Sequence, residues 1–173
     1  MQIFVETPRL ILRELLASDA EGMFELDSDP LVHKYLGNKP IQHIDESRKI
    51  IDFIREQYIS NGIGRWAVIE KSTNTFLGWS GLKLVTDTIN GHNNYYDLGY
   101  RIIPRYWGKG YASESAIASV QYGFDTMGLK EIFGIAEEGN IASQNVLQKA
   151  GLKFVEDFMY EETQMKWYLS NKH

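Results

Sequence analysis

Between Asp97 and Ser115 the chain reads Asp-Leu-Gly-Tyr-Arg-Ile-Ile-Pro-Arg-Tyr-Trp-Gly-Lys-Gly-Tyr-Ala-Ser-Glu-Ser, and its chemistry lies where two periodicities meet. Leu98, Tyr100 and Ile102 alternate with Asp97, Gly99 and Arg101, which is the period of a strand. From Tyr111 the period lengthens, and Ala112, Ala116, Ile117, Val120, Phe124 and Met127 form one apolar helical stripe. Pro104 ends the strand by removing a ladder donor and biasing Ile103 towards an extended shape. Gly108 and Gly110 turn the backbone tightly without Cβ obstruction. A strand, a glycine turn and a helix in that order aim unpaired N–H groups outward at the positive end of a helix dipole. Such a place takes a phosphate or pyrophosphate.

Spacing separates the cofactors that use this kind of turn. An ATP-type loop requires Gly-x-x-x-x-Gly-Lys-Ser/Thr, but Lys109 is followed by Gly110 and Tyr111. The dinucleotide pattern Gly-x-Gly-x-x-Gly meets Ser113 at its third glycine, and the acidic Glu131 begins a strand instead of ending one. The run Arg105-x-x-Gly108-x-Gly110-x-Ala112 resembles the coenzyme A pyrophosphate loop of the GNAT superfamily of acyl-CoA N-acyltransferases. Asp97-Leu-Gly-Tyr100 is similar to the fourth strand of the ribosomal-protein N-terminal (RimJ/RimL-like) branch. Asn140-Ile-Ala-Ser143-Gln-Asn145-Val-Leu-Gln-Lys149-Ala-Gly151-Leu152 is similar to that branch's second motif, and Thr7-x-Arg-Leu-x-Leu-Arg13 to its beginning. The two main motifs stand about 30 residues apart, as an intervening helix and strand require.

The resemblance implies an acetyl-CoA-dependent N-acetyltransferase that moves acetyl directly to a primary amine, either a protein N-terminus or a small amine. It implies a mixed α/β fold: a central, mostly antiparallel sheet whose fourth and fifth strands (97–103 and 130–136) splay apart, with helices on both faces. Backbone groups of Ile102 and Ile103 would pair with the pantetheine arm like an added strand. Amides of Lys109, Gly110, Tyr111, Ala112 and Ser113 would hold the pyrophosphate, and Arg105 would add a charge-assisted contact. A backbone N–H near Tyr100–Ile102 is the implied oxyanion donor. Asp97 stands where relatives often carry Glu, as a group to orient or deprotonate the amine; an ordinary strand-end carboxylate is the rival reading. Many relatives protonate the leaving thiolate from a tyrosine at the position of Leu147. Here Ser143 is the implied donor, although it also fits the N-terminal hydrogen bonding of its own helix. Asn140 and Asn145 are implied coenzyme contacts, since amides do not titrate. Tyr35 and Tyr95 are the implied acceptor contacts, and Glu161 or Glu162 corresponds to a glutamate used in some branch members. Leu147 motivates a second reading, an acyl-CoA-binding sensor or scaffold without turnover.

The elements that position these residues read as follows. A strand starts after Pro8, and Ser18-Asp-Ala-Glu21 forms a capping box for a first helix closed by Pro30. Leu31, Val32, Tyr35 and Leu36 pack a short helix onto the sheet. Asp45 and Glu46 open a helix that Asn61-Gly62 stops. Residues 65–71 and 76–85 make a hairpin in which Gly78 and Gly81 mark close backbone contact. Residues 86–94 are a polar loop. Gly128 and Gly151 end the later helices, and two strands finish the chain.

At 173 residues, 43% hydrophobic and 24% charged, the chain is one globular domain spanning 1–173. It has no apolar run long enough for a membrane and no leader pattern, so a soluble cytoplasmic protein is expected. The lack of cysteine excludes disulfides, thiolate metal sites and an acetyl-cysteine intermediate. His33, His43, His92 and His173 show no close pair with metal spacing, so no metal is expected. A net charge of −5 argues against a general nucleic-acid surface. Homodimerisation is the commonest oligomeric form for such a chain.

Overall fold

The computed structural model describes residues 1–172, so His173 lies outside the described residues. The strands are β1 (Ile3–Glu6), β2 (Leu10–Arg13), β3 (Trp66–Glu70), β4 (Thr75–Val85), β5 (Tyr95–Ile102), β6 (Glu131–Glu137), β7 (Lys153–Tyr160) and β8 (Thr163–Asn171). The helices are α1 (Ala20–Asp27), α2 (Pro30–His33), α3 (Ile44–Asn61), α4 (Tyr111–Asp125) and α5 (Ile141–Lys149). One sheet runs β1-β2-β3-β4-β5-β6-β8-β7. Every neighbouring pair is antiparallel except β5 and β6, which are parallel and meet at one residue pair, Asp97↔Phe133. β5 and β6 are the fourth and fifth strands expected from the sequence, renumbered because β1 precedes them.

Trp66, Ala67, Val68 and Ile69 are all buried because both faces of the sheet centre are covered. Leu12, Trp66, Val68, Leu98 and Ile102 pack with Ala116 and Val120 of α4 and Leu147 of α5. Ala67, Ile69 and Ile103 pack with Met23 and Leu26 of α1 and Ile51 and Ile54 of α3. Helix α4 comes very close to the sheet. Ser115 and Ser119 are fully buried and turn their hydroxyls back to the carbonyls of Ala112 and Ser115, at 3.0 and 2.8 Å. A Cβ on Gly123 would stand 2.8 Å from the terminal methyls of Leu82 and Ile132, which would have to shift to admit a larger residue.

Several local expectations change. Residues 3–6 form a strand, held on β2 and capped by Phe4 stacking on Trp66 at 5.0 Å. The first helix is entered through Asp19, whose carboxylate accepts the Leu16 N–H at 2.8 Å and two bonds from Arg13, so the Ser18–Glu21 box does not form. Pro30 opens α2 at its first turn instead of closing α1, where its missing N–H costs nothing. Leu31 and Leu36 are exposed, while Val32 and His33 turn inward. Ile117 is 38% exposed, and Ala118 takes its place on the buried face of α4. The loop 86–94 is mostly exposed, as its composition implies, but Ile89 packs on the Val85–Phe133–Trp167 cluster and His92 stacks on Trp167 at 4.9 Å.

One carboxylate fastens the N-terminal strands to α4. Glu114 accepts from Thr7 Oγ1 at 2.5 Å, Arg9 Nε at 2.8 Å and the Arg9 amide at 3.3 Å. Burial alone would raise its pKa, but the Thr7 and Arg9 hydrogen bonds overcome it and leave the carboxyl below its ordinary 4.5. A carboxyl depressed on folding stabilises fully above the unfolded value and loses that contribution as pH falls through the folded one. Glu114→Gln is therefore expected to lower the melting temperature at pH 7, with the gap from the parent closing on acidification below 4.5. A pH-independent gap would show that shape, not charge, is what the residue supplies.

Candidate active site

The chain leaves β5 through Pro104–Tyr106, a single 3-10 turn, and the Trp107 indole donates to the Ile102 carbonyl at 2.7 Å, fastening the turn. Gly108 (φ 77°) and Gly110 (φ 82°) are both left-handed. A Cβ on Gly108 would meet open space, so the backbone conformation and not crowding requires glycine. The Gly110 carbonyl accepts the Glu114 amide at 3.0 Å, the first bond of α4. The amides of Tyr111, Ala112 and Ser113 therefore have no partner within the helix. Cationic side chains contribute less here than their number implies. Arg105 is held by Glu25 of α1 at 2.7 and 3.0 Å, and Arg9 by Glu114. Lys109 is exposed and makes no ion pair among the described residues.

The opening beside this turn follows from strand register. Ile103 donates its amide to Leu77 O at 2.8 Å, so its N–H faces β4 and not the opening. In an antiparallel pair such residues alternate, so Arg101 also turns to β4 while Tyr100 and Ile102 present N–H and C=O on the other side. Past Asp97↔Phe133 no pair joins β6 to that edge. Tyr100 and Ile102 thus carry the groups that face the gap, with the Ile102 carbonyl taken by Trp107.

Asp97, at the root of the gap, is 8% exposed. Arg65, just before β3, donates to Asp97 Oδ2 and the Asp97 carbonyl at 2.7 Å each, and to the Gly81 carbonyl at 2.5 Å. Burial draws its guanidinium below the ordinary value, while the Asp97 charge and hydrogen bond hold it up. The guanidinium lies flat on Gly99, where a Cβ would come within 2.7 Å of Nη2. This accounts for glycine in Asp97-Leu-Gly-Tyr100. Arg65 escaped the sequence reading; a glycine inside a strand was the available signal of close approach.

On the far wall, Asn140 caps α5 by accepting the Ser143 amide at 3.2 Å, and Asn145 is exposed one turn on. Ser143 Oγ lies 3.0 Å from the Tyr100 hydroxyl, which also reaches the Ser143 carbonyl at 2.7 Å. Leu147 is 1% exposed and packs against Gly134.

On the opposite face of the sheet, Trp79 lies between the guanidinium groups of Arg65 and Arg101, each 5.2 Å from its ring. Arg101 pairs with the buried Asp27 at 3.0 Å, near His33, whose imidazole is shifted down by burial and by the Arg101 charge. Tyr35 lies against Gly139, at the entry to α5. Tyr95, expected as an acceptor contact, is 6% exposed within an aromatic cluster with Phe133 and Trp167. Glu161 and Glu162 form the turn between β7 and β8, both at positive φ.

Removing one partner of a buried ion pair strands the other charge, at a cost of about 3–5 kcal/mol. Asp97→Asn is therefore expected to lower the melting temperature by roughly 6–20 °C for a chain of this size. Simultaneous Arg65→Met and Asp97→Leu should cost less than either alone. Calorimetry showing an unchanged melting temperature for Asp97→Asn would remove the structural role of the pair.

The GNAT acetyltransferase domain model matches residues 9–153. The uncharacterized N-acetyltransferase YoaA of Bacillus subtilis is 30% identical over 160 residues, covering 91% of this chain and 88% of that protein. A GNAT-family acetyltransferase structure from Bacillus anthracis aligns with a TM-score of 0.81 at 25% identity, covering 98% of each chain. The RimL ribosomal L7/L12 alpha-N-protein acetyltransferase in complex with coenzyme A aligns at 0.79, 16% identical over 98% of each chain, and so shares the fold. With the parted strands and the glycine turn in their expected places, the chain belongs to the GNAT family of acetyltransferases.

Proposed function

We propose that this protein transfers the acetyl group of acetyl-CoA directly to a primary amine, on a protein N-terminus or a small molecule. The observation that carries the reading is the parting of β5 from β6 beyond Asp97↔Phe133, immediately beside the glycine turn that opens α4. In this reading the amides from Lys109 to Ser113 hold the pyrophosphate. The open edge at Tyr100 and Ile102 takes the pantetheine amides and supplies the donor for the tetrahedral oxyanion. Asn140 and Asn145 border the coenzyme. Arg105, held by Glu25, adds only a peripheral charge, and Lys109 adds the nearer one.

Asp97 accepts a hydrogen bond from the amine and orients its lone pair to the thioester carbonyl, with Arg65 fixing the carboxylate. Ser143 donates to the leaving sulfur from the first turn of α5. Tyr35 borders the acceptor. The RimL relative acts on a protein alpha-amine, which supports an N-terminus as one acceptor class.

Thiol release from acetyl-CoA, measured across N-terminal peptides and small primary amines beside a coenzyme titration, tests this reading. Turnover with one acceptor class is the expected result. Gly110→Trp should weaken coenzyme binding by roughly 30-fold, matching the ~2 kcal/mol a helix N-terminus gives an anion. Failure of the folded parent to bind acetyl-CoA would sink the reading.

A further inference from the structure

Helix α5 carries one hydroxyl, Ser143, and that hydroxyl touches a second one that the reaction as described above leaves idle. Tyr100 Oη lies 2.7 Å from the Ser143 carbonyl oxygen and 3.0 Å from Ser143 Oγ. Tyr100 stands on the part of β5 that has left β6, and its side chain reaches across to the first turn of α5. The two hydroxyls therefore close the gap between strand and helix on the coenzyme side.

A phenol has one proton and cannot serve both acceptors at once. When Tyr100 donates to the Ser143 carbonyl, its oxygen is left as the acceptor 3.0 Å from Ser143 Oγ, and the Ser143 hydroxyl donates to it. The serine proton is then turned away from any group in the gap. When Tyr100 donates to Ser143 Oγ instead, the serine proton is released to point elsewhere. The exchange leaves one hydrogen bond within the pair in place of two, and a bond from the freed serine O–H to a charged acceptor offsets the loss, so a developing charge nearby decides it. Burial also raises the Tyr100 phenol above its ordinary value, so its proton stays in place at working pH.

We propose that Tyr100 is a positioning residue that turns the Ser143 hydroxyl towards the coenzyme A sulfur, donating its own proton to Ser143 Oγ as that sulfur becomes charged. This rests on the reading that Ser143 serves the leaving sulfur. During transfer the C–N bond forms and the C–S bond breaks, with its electron pair staying on sulfur. The nitrogen loses one proton and the thiol product gains one. Tyr100 and Ser143 each end with the proton they began with, so the pair stabilises charge without being consumed.

The test needs no acceptor. Coenzyme A itself is the probe, and the ultraviolet band of its thiolate is followed against pH in complex with the protein, with desulfo-coenzyme A as reference. The parent complex should hold roughly tenfold more thiolate than Tyr100→Phe at a fixed pH well below the thiol's pKa in either complex, a shift of about one pKa unit. Ser143→Ala and the double variant should match each other and hold no more thiolate than Tyr100→Phe, because Tyr100 acts only through Ser143, whereas Ser143→Thr keeps the hydroxyl and should match the parent. A purely structural contact would move melting temperature and leave the thiolate fraction alone. A shift in Ser143→Ala with none in Tyr100→Phe would overturn the proposal and leave Ser143 acting by itself. Equal thiolate in every form would place the pair away from the sulfur and also overturn it. Absence of coenzyme binding by the folded parent would instead overturn the coenzyme reading on which both rest.

Discussion

The buried contact between Arg65 and Asp97 is the constraint around which the site is arranged. Arg65 spends its donors on an Asp97 carboxylate oxygen, the Asp97 carbonyl and the Gly81 carbonyl, so one side chain ties β3, β4 and β5 together at a single level. That level is also the last at which β5 pairs with β6. A strand losing its neighbour exposes backbone polar groups, which costs free energy wherever water is excluded. Fixing β5 from the β4 side lets its other edge remain unpaired without sliding or collapsing. The arrangement also demands Gly99, since the guanidinium occupies the space of a side chain there.

The alternation of β5 then divides the site into two sides. Leu98, Tyr100 and Ile102 turn to α4 and α5, while Asp97 and Arg101 turn to the Arg65–Trp79 side. A slip of one residue would exchange the faces and leave two charged groups against an apolar helix. Eight consecutive pairs with β4, from Gly78↔Ile102 to Val85↔Tyr95, hold the register against this. Charge at the turn is managed in a related way. Arg9 and Arg105 are each bound by a carboxylate from elsewhere in the chain, which leaves backbone amides and the dipole of α4 as the main attraction for an anion.

Much of this is written locally and was therefore legible. The glycine turn, α4, the Asn140 cap and the β3–β4 hairpin depend on neighbours within a few residues, and the mixed sheet follows from their order. What escaped depends on distant partners. Residues 3–6 alternate too briefly to announce a strand, and only β2 makes them one. Arg65 lies 32 residues from Asp97, and nothing around it marks it as buried. Tyr95 reads as a polar aromatic near a loop, yet Phe133 and Trp167, from strands much later in the chain, enclose it. Arg105 reads equally as a phosphate contact or a solvent-facing turn arginine, and only Glu25, 80 residues earlier, gives it a partner.

Ser143 shows why motif and mechanism must be argued separately. Its position after Asn140 is explained by helix capping alone, since its amide completes the cap. Capping asks nothing of its hydroxyl. The hydroxyl meets Tyr100, which comes from a strand that reaches the helix only because β5 and β6 part. A serine needed just for the cap would tolerate alanine with little change, because the bond is made by backbone N–H. A serine held against a phenol at the mouth of an open edge has its proton directed by that phenol, and direction decides how strongly a hydroxyl meets new charge.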